Sequence, residues 1–118
     1  FTFIDDVVES LIKLIAKPAT SSNKFDKFLP NLAKSWAPYR LFNVGNSNPT
    51  KLMDYIKAIE NCLNKKAKIN FLPMQLGDVK ATHSDTSLLE QWIDYKPKTL
   101  IHDGVKKFIN WYRDFYNC

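Results

Sequence analysis

The apolar residues of this chain follow two spacings, one typical of β-strands and one typical of helices. Residues 1–4, 41–46 and 68–71 are aromatic, β-branched or alternately apolar and polar, and each run predicts a short strand. Elsewhere apolar residues recur every three or four positions, which places them on one face of a helix. Short strands that alternate with helices predict an α/β fold.

The helical spacing predicts four helices, over residues 6–17, 49–64 and 86–92 and from residue 99 onward. The first has Asp6 and Glu9 at the spacing of a capping box, and it should stop before Pro18. The second has Pro49 at its first position, where a helix does not need the missing amide hydrogen. Asp85 is the expected N-cap of the third.

Residues 19–38 have the least regular pattern. Their apolar residues recur at helical spacing, but Pro30 interrupts them, so the pattern predicts a broken helical segment inserted into the domain. These apolar residues are Phe25, Phe28, Leu29, Leu32 and Trp36. The insertion can fold its aromatic side chains onto the core, or it can serve as a lid or a docking surface.

Length and composition are those of one domain that spans residues 1–118. Hydrophobic residues make up 45% of the 118, which is enough for a core. The longest apolar stretch, residues 11–16, contains Lys13, so we expect neither a membrane span nor a signal peptide, and a cytoplasmic location. The net charge of +5 comes mostly from dispersed lysines, which is typical of a solvated surface and not of a nucleic-acid site.

The most informative polar group follows the strand predicted over residues 68–71. Gln75, Gly77 and Asp78 combine an amide, a flexible backbone position and a carboxylate, which suits a polar ligand but also a solvated turn.

With 3 glycines the chain has neither a dinucleotide fingerprint nor a P-loop, and no tyrosine is followed four residues later by lysine. His83 and His102 lack the neighbours of a metal site. We therefore predict no catalytic, cofactor-binding or metal-binding residue.

Four segments carry a resemblance to a known family. They are Phe-Thr-Phe-Ile-Asp-Asp-Val (1–7), Ala-Pro-Tyr-Arg-Leu-Phe-Asn-Val-Gly-Asn-Ser (37–47), Leu-Pro-Met-Gln-Leu-Gly-Asp-Val (72–79) and Lys-Pro-Lys-Thr (96–99). In this order they resemble the C-terminal third of the extended short-chain dehydrogenase/reductases, the NAD-dependent epimerase/dehydratase family, and above all the UDP-glucuronate 4-epimerases. Because the chain begins at Phe1 without a methionine, we expect it to be a fragment of a longer polypeptide.

The resemblance implies a parent enzyme that acts on a UDP-sugar and holds NAD on an N-terminal Rossmann domain, which is missing here. In that family a Tyr-x-x-x-Lys pair of the missing domain removes a proton while hydride leaves C4 of the sugar, and the transient ketone takes the hydride back on its other face. The C-terminal part binds the nucleotide. By this resemblance Gln75 lies near the diphosphate, where many relatives have arginine, and Asp78 contacts the ribose hydroxyls.

Three expectations and two alternatives follow from this resemblance. The fragment alone should have no epimerase activity and should not bind NAD. It should self-associate, through the predicted strands at 1–4 and 41–44 or through the aromatic face of residues 25–36. The first alternative is a parent that is another nucleotide-sugar epimerase or a dehydratase. The second is a stand-alone interaction module that has kept the fold and lost the chemistry.

Overall fold

The computed structural model describes residues 1–31, 33–79 and 81–118, which contain four α-helices. They are α1 (Ile4–Ala16), α2 (Leu52–Leu63), α3 (Ser87–Ile93) and α4 (Ile101–Tyr116). Within those ranges the only β pairing is an isolated antiparallel bridge between Lys34 and Arg40. No helix that the structure describes is long and apolar enough to cross a membrane. The fold is therefore mostly helical.

The prediction of an α/β fold is wrong, because the predicted strands form no sheet in the described part of the chain. Residues 41–46 join no ladder, and residues 68–71 are exposed throughout. Residues 1–4 lead directly into α1, where the amide of Val7 donates to the carbonyl of Phe3 at 3.3 Å. An alternating pattern shows which side chains share a face, whereas a strand also needs a neighbour to bond its amides and carbonyls.

Helix α1 ends as predicted but does not begin as predicted. Its C-cap is Lys17, which directly precedes Pro18. The predicted capping box is wrong, because the N-cap is Phe3, which makes no side-chain cap hydrogen bond. Asp6 instead lies inside the first turn and is buried. Its neighbour Asp5 also lies in the first turn, where a negative charge interacts favourably with the positive end of the helix dipole.

The other three predicted helices are present, each starting slightly later than predicted. α2 begins at Leu52 instead of residue 49, α3 begins at Ser87 instead of residue 86, and α4 begins at Ile101 instead of residue 99. Asp85, the predicted N-cap of α3, lies one position before the observed N-cap, Thr86. Its carboxylate still accepts a hydrogen bond from the amide of Ser87 at 2.9 Å.

The C-termini of these helices share one backbone conformation. Asn64, Asp94 and Asn117 follow α2, α3 and α4, with φ values of 50°, 49° and 52° in the left-handed region. Asparagine and aspartate tolerate this region better than other residues with a Cβ atom, because their short polar side chains bond locally. The predicted end of α2 near Asn64 is thus confirmed.

The described residues of 19–38 contain no helix, so the prediction of a broken helical segment is wrong. Short polar side chains there accept hydrogen bonds from amides two residues ahead. Asp26 accepts from Phe28 at 2.8 Å and Asn31 accepts from Ala33 at 2.9 Å. Such local bonds compete with those of a helix. Leu32, one of the five apolar positions behind the prediction, lies outside the described residues.

Contacts along the chain group it into two compact units. The α2–α4 unit consists of residue 1 and of residues 48–83 and 99–118. Helices α2 and α4 pack against each other in it, and Val105 and Ile109 of α4 are buried. The ring of Phe1 stacks on that of Tyr55, with 4.3 Å between the ring centroids.

The α1–α3 unit consists of residues 2–47 and 84–98. Helix α1 packs on α3, and Leu89 and Ile93 of α3 are buried. The indole N–H of Trp92 donates to the carbonyl of Lys17 at 2.9 Å, which ties the end of α1 to α3.

Candidate functional site

Gln75 and Asp78, the two predicted site residues, lie at the two ends of one tight turn. The amide of Asp78 donates to the carbonyl of Gln75 at 3.2 Å. Gly77 has a φ of 95° and Leu76 has no positive φ, a combination that matches the φ signs of a type II turn. A Cβ atom on Gly77 would meet no atom within 4 Å, so glycine is needed there for its backbone angle and not for space.

The turn lies on a loop whose described residues between 64 and 83 are all exposed. Within the described ranges, no other protein group bonds the side chain of Gln75 or of Asp78, so both are open to a ligand. A glutamine amide can donate to a phosphate oxygen, and a carboxylate can accept from two hydroxyl groups. The turn therefore offers a donor and an anionic acceptor side by side.

Large apolar side chains surround this polar pair on the same loop. Five of them are 59–106% exposed, namely Phe71, Leu72, Met74, Leu76 and Val79. Ligand sites typically combine mostly apolar walls with a few well-placed polar groups. The loop combines residue types that ligand sites use, and its apolar side chains are exposed in this chain.

Glu60 ties the beginning of the loop to the last turn of α2. Its carboxylate accepts hydrogen bonds from the amide of Ala67 at 2.8 Å and from Nζ of Lys66 at 3.1 Å. The Ala67 amide, and after it the Lys66 ammonium, lower the pKa of Glu60. The amide of Lys65 also donates to the Glu60 carbonyl at 3.1 Å. This contact has no signal in the sequence, because its partners lie outside the spacing of helical neighbours.

A second polar cluster lies in the α1–α3 unit and connects Ser47, which precedes the α2–α4 unit in the chain, to α3. The hydroxyl of Thr86 donates to the Glu90 carboxylate at 2.7 Å. Since that hydroxyl has one hydrogen, Ser47 must be the donor in its 2.5 Å contact with Thr86. Glu90 also pairs with Lys96, at 3.4 Å. The members bond one another, so the cluster positions this segment instead of offering a binding site.

A cleft of about 360 Å³ lies between α2 and α4 in the α2–α4 unit. Its walls are mostly apolar or aromatic and include Tyr55, Ile59, Leu63, Val105, Ile109 and Tyr112. Neither Gln75 nor Asp78 lines it. Two cations, Lys65 and Arg113, also line the cleft, so it combines apolar walls with positive charge, and the two predicted site residues lie outside it.

The described residues do not fit a dinucleotide such as NAD. A pyrophosphate site of that kind needs a glycine-rich turn that opens a helix. Gly45 is buried against Ser84, with 3.2 Å between a Cβ built on Gly45 and that of Ser84, and Gly104 lies inside α4. Gly77 lies in the exposed turn.

Among the residues described, no His, Cys, Asp and Glu side chains cluster in a way that could hold a metal ion.

Comparison with known proteins gives relatives that match nearly the whole chain, although no family model matches it. Protein CapI of Staphylococcus aureus is 42% identical over 116 residues, which are 98% of this chain and 35% of CapI. A probable UDP-glucuronate 4-epimerase of Rhizobium meliloti is 36% identical over 118 residues, covering 98% of this chain and 34% of the relative. The chain thus spans about a third of the length of these relatives.

A solved structure has the same fold. The enzyme WbmF of Bordetella bronchiseptica, crystallised with NADH, superposes with a TM-score of 0.69 at 18% identity. The match covers 99% of this chain and 30% of that enzyme.

These matches define the class of protein. The chain belongs to the extended short-chain dehydrogenase/reductases and corresponds to their C-terminal part. Within that family its relatives include a probable UDP-glucuronate 4-epimerase, so the predicted resemblance to the nucleotide-sugar epimerases is confirmed.

Proposed function

We propose that this chain is the nucleotide-sugar-binding part of an NAD-dependent epimerase that acts on UDP-glucuronate. The observation that carries the proposal is the 36% identity to a probable UDP-glucuronate 4-epimerase over 98% of the chain. Since the chain spans 34% of that relative, the cofactor site and the proton-transfer residues are assigned to other parts of the parent protein. The described glycines, none of which opens a helix, support that division.

The turn at 75–78 is assigned to the nucleotide half of the substrate. The amide of Gln75 donates to a diphosphate oxygen, and the carboxylate of Asp78 accepts hydrogen bonds from the ribose hydroxyls. A hydrogen bond to an ionised group is roughly twice as strong as one between neutral groups. Each contact has one ionised partner, the diphosphate at Gln75 and the carboxylate at Asp78, and the Asp78 carboxylate can in addition accept from two ribose hydroxyls at once, so we assign it the larger share of binding.

The chemistry at C4 of the sugar takes place away from this turn. Oxidation there needs a hydride acceptor, which is NAD in the parent, and a base, and neither is assigned to this chain. Gln75 and Asp78 bind and orient the substrate and do not touch the reacting atoms. Orientation of this kind lowers the barrier by holding the reacting groups together in advance.

The proposal is tested by incubating the natural full-length protein with UDP-glucuronate and following the sugar nucleotide by chromatography. The expected product is the C4 epimer, formed reversibly and without net consumption of NAD. UDP-glucose, which lacks the C6 carboxylate, serves as the comparison substrate and should turn over more slowly. A dehydrated sugar product, or no turnover of UDP-glucuronate, would contradict the proposal.

A further inference from the structure

The cleft between α2 and α4 is built by one face of each helix. Its volume of about 360 Å³ falls at the lower end of the usual range for small-molecule sites, roughly 300–1,000 Å³. Its wall residues recur every three or four positions and so share a face, with Tyr55, Ile59 and Leu63 on α2 and Val105, Ile109 and Tyr112 on α4. Val105 and Ile109 are buried, so the walls belong to the packed core of the α2–α4 unit. The cleft is therefore fixed by helix packing and not by a loop.

Two cations line this cleft near the C-terminal ends of both helices. Lys65 follows Asn64, the C-cap of α2, and Arg113 lies in the last turn of α4. In the described part of the chain neither side chain forms an ion pair, with Cys118 at the end of the chain or with any other residue. A helix C-terminus carries roughly half a negative charge, so two unit positive charges outweigh the two helix ends. The cleft therefore has two cationic donors open to an anion.

The other lining residues show what kind of anion fits. Tyr55, Phe108 and Tyr112 provide rings on which a flat apolar body can stack. The guanidinium of Arg113 has parallel N–H donors that match the two oxygens of a carboxylate. The residues described as lining the cleft include no Asp, Glu, Asn, Gln, Ser or Thr, so sugar hydroxyls or the edge of a base would lack side-chain partners there. An aromatic carboxylate therefore fits this cleft better than a nucleotide does.

We propose that the cleft binds a small aromatic carboxylate, with its ring against the walls of α2 and α4 and its carboxylate bonded by Lys65 and Arg113. Gln75 and Asp78 do not line the cleft, so this is a second site in addition to the turn assigned to the substrate. The inference goes beyond the proposed function and does not rest on it, since every residue that carries it belongs to the α2–α4 unit and lines the cleft itself.

The test is isothermal titration calorimetry of the natural full-length protein with 2-naphthoate. Arg113→Gln removes one positive charge from the cleft, and Lys65→Gln replaces it if that variant does not fold. Lys106→Gln is the matched control, because Lys106 is an exposed cation of α4 that does not line the cleft. The comparison ligand is 2-naphthylmethylamine, which has the same ring system and a positive charge.

The expected result is saturable binding of 2-naphthoate, with a Kd that rises about fivefold in Arg113→Gln and less than about twofold in Lys106→Gln. The effect is modest because the Arg113 cation is exposed to solvent. No saturable binding up to about 5 mM would overturn the proposal, since another part of the parent protein would then fill the cleft. Equal weakening in the two variants, equally tight binding of the amine, or displacement of 2-naphthoate by UDP would also overturn it. The assay does not measure turnover, so its failure is distinct from a failure of the proposed function.

Discussion

The buried carboxyl of Asp6 obtains a hydrogen bond from the hydroxyl of Tyr95. Burial, and after it the hydrogen bond to Asp6 and the nearby acidic charge, raise the pKa of Tyr95 from 10.0 to about 12. This pair connects the first turn of α1 to the segment after α3, two parts of the chain that are far apart in sequence. Together with the bond from Trp92 to the carbonyl of Lys17, it is one of the contacts that join α1 to the rest of the α1–α3 unit.

Tyr95→Phe should lower the free energy of unfolding by about 1.5–3 kcal/mol, the usual contribution of a hydrogen bond to a charged group. Urea unfolding followed by circular dichroism measures this change. Tyr39→Phe is the control, since Tyr39 lies in the same unit and is 46% exposed. Equal effects of the two substitutions would show that the contact with Asp6 does not stabilise the fold.

The raised pKa of Tyr95 also predicts a pH dependence. The folded protein keeps the Tyr95 proton more tightly than the unfolded chain does, so this contribution to stability is complete below pH 10 and is lost as pH rises toward about 12. Unfolding free energies measured between these limits should fall with pH, and less steeply in Tyr95→Phe. Parallel pH profiles for the wild type and the variant would contradict this assignment.

Asp78 should act on binding more than on turnover. In the natural full-length protein we expect Asp78→Ala to raise KM for UDP-glucuronate by roughly tenfold or more, since a bond to a charged group is worth about 1.5–3 kcal/mol, while kcat changes little. Asp114→Ala, which removes another exposed carboxylate of the same unit, should leave both constants unchanged. A loss in kcat at constant KM would place Asp78 at the reacting carbon and would contradict its role at the ribose.

At the scale of elements, the sequence predicts what depends on local spacing and misses what depends on distant partners. All four helices were predicted, because an apolar face repeats along each. The prediction of strands was wrong, because residues 41–46 and 68–71 have extended patterns but no described neighbour to pair with. In α1 the polar Asp6 and Ser10 are buried, whereas the apolar face that includes Leu11 and Ile15 is exposed. This orientation could not be predicted, since periodicity identifies a face without showing what covers it.

The same distinction applies to the candidate site. A turn at Gln75, Gly77 and Asp78 was predictable because it has a local composition signal, and the structure places the three on one turn, while their contacts with a substrate stay a prediction. The contact of Glu60 with Ala67 was not predicted, because it joins a helix end to a loop by no regular spacing.

Glu60→Gln should loosen the beginning of the loop that carries the turn. It weakens the acceptor for the amide of Ala67, so that amide should exchange its hydrogen faster, by about tenfold. Hydrogen exchange followed by nuclear magnetic resonance measures this at residue resolution. Asp54→Asn, in an exposed ion pair with Lys57, is the control and should leave the Ala67 amide unchanged. An unchanged Ala67 rate in Glu60→Gln would show that the carboxylate does not hold the loop.

At the scale of the whole molecule, a chain that spans about a third of its relatives should behave as an incomplete protein. The purified chain should show no epimerase turnover and no saturable binding of NAD. It should also self-associate, and because the predicted strands are absent from the described residues, the exposed apolar face of α1 (Ile4, Val8, Leu11, Ile12 and Ile15) is now the route we expect. Self-association would be seen in sedimentation velocity as a sedimentation coefficient that rises over a tenfold increase in concentration. Leu11→Lys with Ile15→Lys should abolish the rise. A chain that remains monomeric at every concentration would favour a stand-alone module.

The most direct test of the central claim is a titration of the isotope-labelled chain with UDP, followed by the backbone amide resonances. We predict saturable shifts concentrated at residues 75–79, which Asp78→Ala reduces and Asp114→Ala leaves unchanged. Concentrations up to about 10 mM detect binding as weak as about −3 kcal/mol, so weak binding by an incomplete site remains visible. Shifts that are absent over this range, or that concentrate instead in the cleft between α2 and α4, would contradict the assignment of this chain to the nucleotide of a UDP-sugar.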